Sequence, residues 1–134
     1  MAFMTQLRVR EAAGFLGVSE DTVRRWIERG VLEATTDAAG RTVLEGTEVA
    51  RRARELAVAP SAPGATGSSA RNRFVGLVTR VVMDTVMAQV ELQCGPFRVV
   101  SLMSSEAARE LGLEPGKVAS AVVKATQVVI EAER

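Results

Sequence analysis

The sequence predicts an α+β protein in two parts, a mainly helical N-terminal unit followed by an all-β C-terminal unit. Three observations predict it. Apolar residues recur at helical spacing up to about residue 57. The stretch Pro60-Ser61-Ala62-Pro63-Gly64-Ala65-Thr66-Gly67-Ser68 then has no apolar period and is dense in Pro, Gly and Ser. Beyond it the apolar period becomes two, the mark of strands. The expected boundaries are therefore 1–57, a flexible linker at 58–68, and 69–134. A coil of about ten such residues spans ~17–19 Å r.m.s., so each half is expected to reorient freely.

In the N-terminal part, Val9, Ala12, Ala13 and Leu16 mark one helical face and Gly17 marks its end. Val18 reads as a buried turn residue. Ser19 reads as the N-cap of a second helix, with Glu20 and Asp21 in the first turn, where they favour the helix dipole. Val23, Trp26 and Ile27 supply that helix's inner face and Gly30 closes it. A short strand near Leu32–Thr35, a turn at Asp37-Ala38-Ala39-Gly40 and a return strand Arg41–Leu44 predict a hairpin. A third helix is expected from Thr47, as N-cap, to about Ala57.

The run from Leu7 to Leu32, with Gly17-Val18-Ser19 followed by Thr22-Val23-Arg24-Arg25-Trp26, resembles the winged helix-turn-helix of the MerR and phage excisionase families. The resemblance implies binding to double-stranded DNA, with the second helix entering the major groove by its N-terminal end. That places Ser19, Glu20, Asp21, Thr22, Arg24 and Arg25 in or near the groove. Arg41 on the hairpin and Arg8 or Arg10 beside the first helix become candidate phosphate contacts. The wing departs from the families' strongly basic pattern, because Arg41 is the one cation in Asp37–Thr42.

In the C-terminal part, Phe74, Gly76, Val78 and Val82 alternate with Val75, Leu77 and Val81, so both faces of this strand are apolar. Such a strand is expected to be covered twice, by a core and by another layer or subunit. Asp84-Thr85 turns into a half-exposed strand with Ala88, Val90 and Leu92 inward; Gly95-Pro96 turns into Phe97–Met103. Ser104 or Ser105 caps a short helix ended by Gly112, and strands are expected at Val118–Lys124 and Gln127–Glu131. Five strands with one helix between the third and fourth is the layout of an OB-like barrel.

Ser69-Ala70-Arg71-Asn72-Arg73-Phe74-Val75-Gly76, Glu110-Leu111-Gly112-Leu113-Glu114-Pro115-Gly116 and Val123-Lys124-Ala125-Thr126 occur in the order and at the separations of the Mop or TOBE family, which this half resembles over residues 69–131. The resemblance implies a molybdate or tungstate ligand at a subunit interface. It implies contacts from Ser69, Ala70 and Arg71, from Lys124, Ala125 and Thr126, and from Ser104 and Ser105 at the helix start. Cations and hydroxyl or amide donors are what a tetrahedral dianion needs when it leaves water. Ala107 stands where family members often carry Ser, so one donor is missing. Asn72 reads as a structural hydrogen-bonding residue at the strand's entry.

Composition narrows the function. Histidine and tyrosine are absent and Cys94 is alone, which removes an intrachain disulfide, the commonest general base and the usual ligands of a zinc, copper or iron site. No enzyme and no metal centre are expected; molybdenum would enter only as an oxyanion. No apolar run is long enough for a membrane span, and Met1-Ala2-Phe3-Met4 has no signal-peptide pattern, so the cytoplasm is the expected compartment. Residues 1–57 hold nine Arg against nine acids, and residues 58–134 hold eight cations against seven acids. A near-neutral unit binds DNA weakly alone, and self-association, as a dimer or a hexamer, would add contacts. The expected function is an oxyanion-responsive transcriptional regulator. Two alternatives stay open: an oxyanion store with an assembly-only helix-turn-helix, and a ligand-free regulator whose barrel serves to oligomerise.

Overall fold

The computed structural model describes residues 5–58 and 67–133. The chain divides into two compact units, Met1–Val58 and Ala59–Arg134. Most of the expected linker and Met1–Met4 lie outside the described residues.

The first unit runs β1 (Gln6–Arg8), α1 (Val9–Leu16), α2 (Glu20–Glu28), β2 (Thr35–Thr36), β3 (Thr42–Glu45) and α3 (Gly46–Leu56). The helical face expected from spacing is buried: Val9, Ala12, Ala13 and Leu16 join Val23, Leu32, Leu44 and Val49 in one core. Gly17 ends α1 with φ +67°, a left-handed conformation that glycine adopts without a Cβ clash. Ser19 caps α2 by accepting the Thr22 N–H at 3.1 Å. Trp26 packs against the core, and the Arg52 guanidinium lies 4.4 Å from its ring centre.

Two expectations in this unit are corrected. The α3 N-cap is Glu45, not Thr47, which lies inside the helix. The first hairpin strand begins at Thr35, because Leu32 is drawn into the core instead of extending as strand. One strand is additional: β1 pairs with β3, giving the order β1-β3-β2.

The second unit contains β4 (Asn72–Met83), β5 (Met87–Cys94), β6 (Phe97–Ser104), α4 (Ser105–Glu110), β7 (Val118–Val123) and a 3₁₀ turn at Ala125–Gln127. Its antiparallel sheet has the order β6-β5-β4-β7. Val78, Val90, Leu92 and Cys94 form the core, with Val81, Val99, Met103, Leu113, Ala119 and Ala121 packed on it. Gly76 lets β4 approach β5 closely: a Cβ there would collide with the Gln93 carbonyl and stand 2.7 Å from Cys94 Sγ.

The fifth strand expected at Gln127–Glu131 does not form. The 3₁₀ turn carries the chain off the end of β7, and among the described residues no strand pairs with the segment beyond it. Val129 and Ile130 are left over 80% exposed (83% and 81%). The sheet therefore stays open between its edge strands, with an apolar groove of about 510 Å³ lined by Leu92, Val99, Met103, Leu113, Ala119 and Ala121. The doubly apolar character of β4 has the same outcome. Val78 is buried, but Leu77 and its cross-strand partner Val118 remain about half exposed.

Replacing Gly76 by alanine is expected to destabilise the second unit by about 1–3 kcal/mol through overpacking. Urea unfolding measures this, and an unchanged midpoint would show that the two strands can separate freely.

Candidate functional site

The candidate oxyanion residues are sorted by strand register. Asn72 pairs with Val123 as the last rung of the β4–β7 ladder, and its side-chain amide donates to the Val123 carbonyl at 3.1 Å. The next residue outward on each strand is Arg71 and Lys124, so two cations emerge side by side at one end of the sheet. Neither enters an ion pair among the described residues. Their charge is left for a ligand or for water. The Asn72 amide thus acts as the strand-entry hydrogen bond that its place in sequence suggests.

Ser69 and Ala70 precede Arg71 in a turn organised by Ser68, a residue of the expected linker. The Ser68 hydroxyl accepts the Ala70 N–H at 3.1 Å, and the Ser68 carbonyl accepts from the Arg71 guanidinium at 3.4 Å. A serine two residues before an amide is the local signal for such a turn. On the other strand, Ala125 and Thr126 form the exposed 3₁₀ turn, closed by the Gln127 N–H on the Lys124 carbonyl at 2.9 Å.

Ser104 and Ser105 are elsewhere. Ser104 pairs with Met87, at the end of the sheet where β4 finishes. The twelve residues of β4 separate it from Arg71, roughly 36 Å of strand at about 3.3 Å per residue. Within one chain the two halves of the expected seat do not meet. The Ser104 hydroxyl accepts the Ala107 N–H at 3.1 Å as the α4 N-cap, and its own hydrogen remains free to donate. Ser105 is a correction: it is fully buried, and its hydroxyl donates to the Asp84 carbonyl at 2.8 Å. It fastens α4 to the β4–β5 turn and presents nothing to a ligand.

In the first unit, Arg8, Arg10, Arg24 and Arg41 line one cleft together with Glu11 and Glu20. The cleft joins the end of β1, the start of α1, the exposed side of α2 and the hairpin, so cations distant in sequence share one surface. Arg41 is held there by Asp37, whose Oδ2 accepts from Arg41 Nε at 2.9 Å while Oδ1 accepts the Arg41 and Ala39 N–H groups at 2.9 Å. Glu11 accepts the Arg8 N–H at 3.0 Å. Arg25 is not part of the cleft lining. The Ser19 and Thr22 hydroxyls lie 2.9 Å apart and bond each other.

Two family matches cover most of the chain: residues 7–57 match a helix-turn-helix domain, and residues 68–130 match the TOBE domain. A probable molybdenum-pterin-binding protein of Haemophilus influenzae is 41% identical over 66 residues, 48% of this chain and 96% of that protein. Molybdenum-pterin-binding protein 2 of Clostridium pasteurianum is 38% identical over 63 residues, 46% of this chain and 93% of that protein. Among solved structures, a molybdate-binding protein from Sporomusa ovata overlaps 50% of this chain and 100% of its own, with TM-score 0.48 at 28% identity. MopII from Clostridium pasteurianum overlaps 49% of this chain and 100% of its own, with TM-score 0.46 at 37% identity. These relatives are matched almost whole by about half of this chain.

The Asp37 clamp gives the hairpin a pH dependence. The Arg41 backbone N–H is the largest cause holding the Asp37 carboxyl below its ordinary value; burial opposes it, and the Arg41 guanidinium and the Ala39 N–H add to the lowering. A depressed folded-state value stabilises the hairpin above the unfolded-state value of about 3.9 and is lost as pH falls through the folded-state value. Amide shifts of Ala39 and Arg41 followed by NMR from pH 6 downward are expected to move together below ~4. In Asp37→Asn that transition should vanish.

Proposed function

The chain belongs to the TOBE-domain family, and on that premise we propose that it is a molybdate-responsive DNA-binding regulator, acting in the cytoplasm as a homo-oligomer. One observation carries the reading. Arg71 and Lys124 stand together and without an ion pair among the described residues at one end of the sheet, whereas Ser104, the third part of the expected seat, stands at the other. A complete seat therefore needs two copies of the chain. Arg71 and Lys124 come from one copy, with the Ser69–Ala70 and Ala125–Thr126 turns beside them. The hydroxyl of Ser104 comes from the other. Tungstate, a dianion of the same shape, is the second expected ligand.

Three features support assembly of the second unit. The outer face of β4 and β7 leaves apolar residues uncovered, the groove between the edge strands is open, and Val128–Ile130 leave the sheet with no strand partner among the described residues. Exposed apolar surface of this extent gains by being covered. Oxyanion binding would then favour the arrangement that completes the seat. The N-terminal units would be respaced as a consequence, because a ligand shifts an equilibrium only by its difference in affinity for the two states.

The arginine cleft supports the DNA half. Arg8, Arg10, Arg24 and Arg41 carry no base information on their own account; they supply phosphate attraction and set the register of α2 on the duplex. One such unit neutralises few phosphates, so affinity grows with the number of tethered copies.

Native mass measurement with and without molybdate, together with calorimetric titration, tests ligand and assembly at once. Arg71→Ala and Lys124→Ala are each expected to weaken binding about ten- to a hundredfold, the effect of losing a charged hydrogen bond. No heat with the intact chain at micromolar protein would sink the oxyanion reading. Molybdate bound stoichiometrically with no salt-sensitive DNA affinity would replace regulation by storage. If DNA is bound, Arg24→Ala should reduce the slope of log affinity against log salt by about 1.

A further inference from the structure

Thr22 stands at the end of α2 that is expected to face DNA, and its hydroxyl makes two bonds within the protein. A hydroxyl offers one hydrogen and two lone pairs. Thr22 Oγ1 bonds Ser19 Oγ at 2.9 Å and also accepts from the Arg25 guanidinium, Nη2 to Oγ1, at 3.4 Å. Ser19 is itself fixed, because its oxygen accepts the Thr22 backbone N–H at 3.1 Å as the α2 cap. A short relay therefore runs from the helix cap through two hydroxyls to one arginine. The neighbouring cations are held differently. Arg41 is clamped by a carboxylate, and Arg24 has no ion pair among the described residues. Asp21, one turn before Arg25, makes no ion pair with it either.

We propose that Thr22 is a positioning residue, which holds the Arg25 guanidinium for a guanine edge in the major groove without contacting DNA itself. The inference rests on the DNA-binding reading above. An arginine reads guanine by two parallel donors to O6 and N7, a geometry that rewards a fork already held in place. Thr22 restrains that fork through a neutral hydroxyl. The charge of Arg25 thus stays unneutralised, which a carboxylate in the same place would not allow. The relay starts at the Ser19 cap, so it ties the arginine to the backbone at the start of α2.

The test begins by selecting duplexes from a randomised pool with the full chain and molybdate, then measuring discrimination between the selected site and a scrambled duplex. Five chains are compared: wild type, Thr22→Val, Thr22→Ser, Arg25→Ala and the Thr22→Val/Arg25→Ala pair. Thr22→Val keeps shape and the backbone cap but removes the hydroxyl; it is expected to lower discrimination about three- to tenfold, by a larger factor than it lowers scrambled-duplex affinity, with the melting temperature showing that the fold is kept. Thr22→Ser is expected to restore it. The double variant is expected to equal Arg25→Ala, because a residue acting through Arg25 has nothing left to position. Losses that add, or a Thr22→Val that discriminates like wild type, would overturn the proposal and leave the DNA-binding reading intact. A wild-type chain that selects no sequence would overturn both.

Discussion

The β4–β7 ladder is the constraint on which the rest of the second unit depends. Its terminal rung joins residues 51 apart in sequence, and the Asn72 side chain reinforces the backbone pairing there. Without that rung, Arg71 and Lys124 would be two unrelated cations on separate segments. With it they flank one rung of the sheet, and no carboxylate of the described residues pairs with either.

The first unit solves a related problem with different means. Its cations also converge from distant segments, and several are restrained by local partners: Asp37 for Arg41, Thr22 for Arg25, and the Glu48 and Glu55 carboxylates for Arg51, which also reaches the Val31 carbonyl. Partners of full charge cancel part of the cation's field, whereas a hydroxyl leaves it intact.

Much of this was legible in the residues. Helical spacing in α1, the Ser19 cap and the Asp37–Gly40 turn all depend on local backbone chemistry, which neighbours in sequence determine. The features that escaped depend on non-local geometry. Strand β1 is three residues long, too short to display a period of two, and exists because β3 lies beside it. Ser104 and Ser105 are adjacent hydroxyls at a helix start; which one caps and which one is buried is decided by where the β4–β5 turn places the Asp84 carbonyl. Val128, Val129 and Ile130 read as strand by composition, yet a strand is a relation between two segments, and the described residues supply no second segment for them.

If the proposed assembly covers that unpartnered segment, the protein's behaviour follows its dosage. A protomer in dilute solution keeps Val129 and Ile130 in water, and each square ångström of such surface costs about 25 cal/mol when left uncovered. Under the proposed assembly, covering it requires an encounter, so the concentration of complete seats rises with more than the first power of protomer concentration. Synthesis rate and ligand supply then act on the same equilibrium. A cell making little of this chain would need more oxyanion to reach the same occupancy, and the threshold of the response would be written partly in the abundance of the protein that reports it.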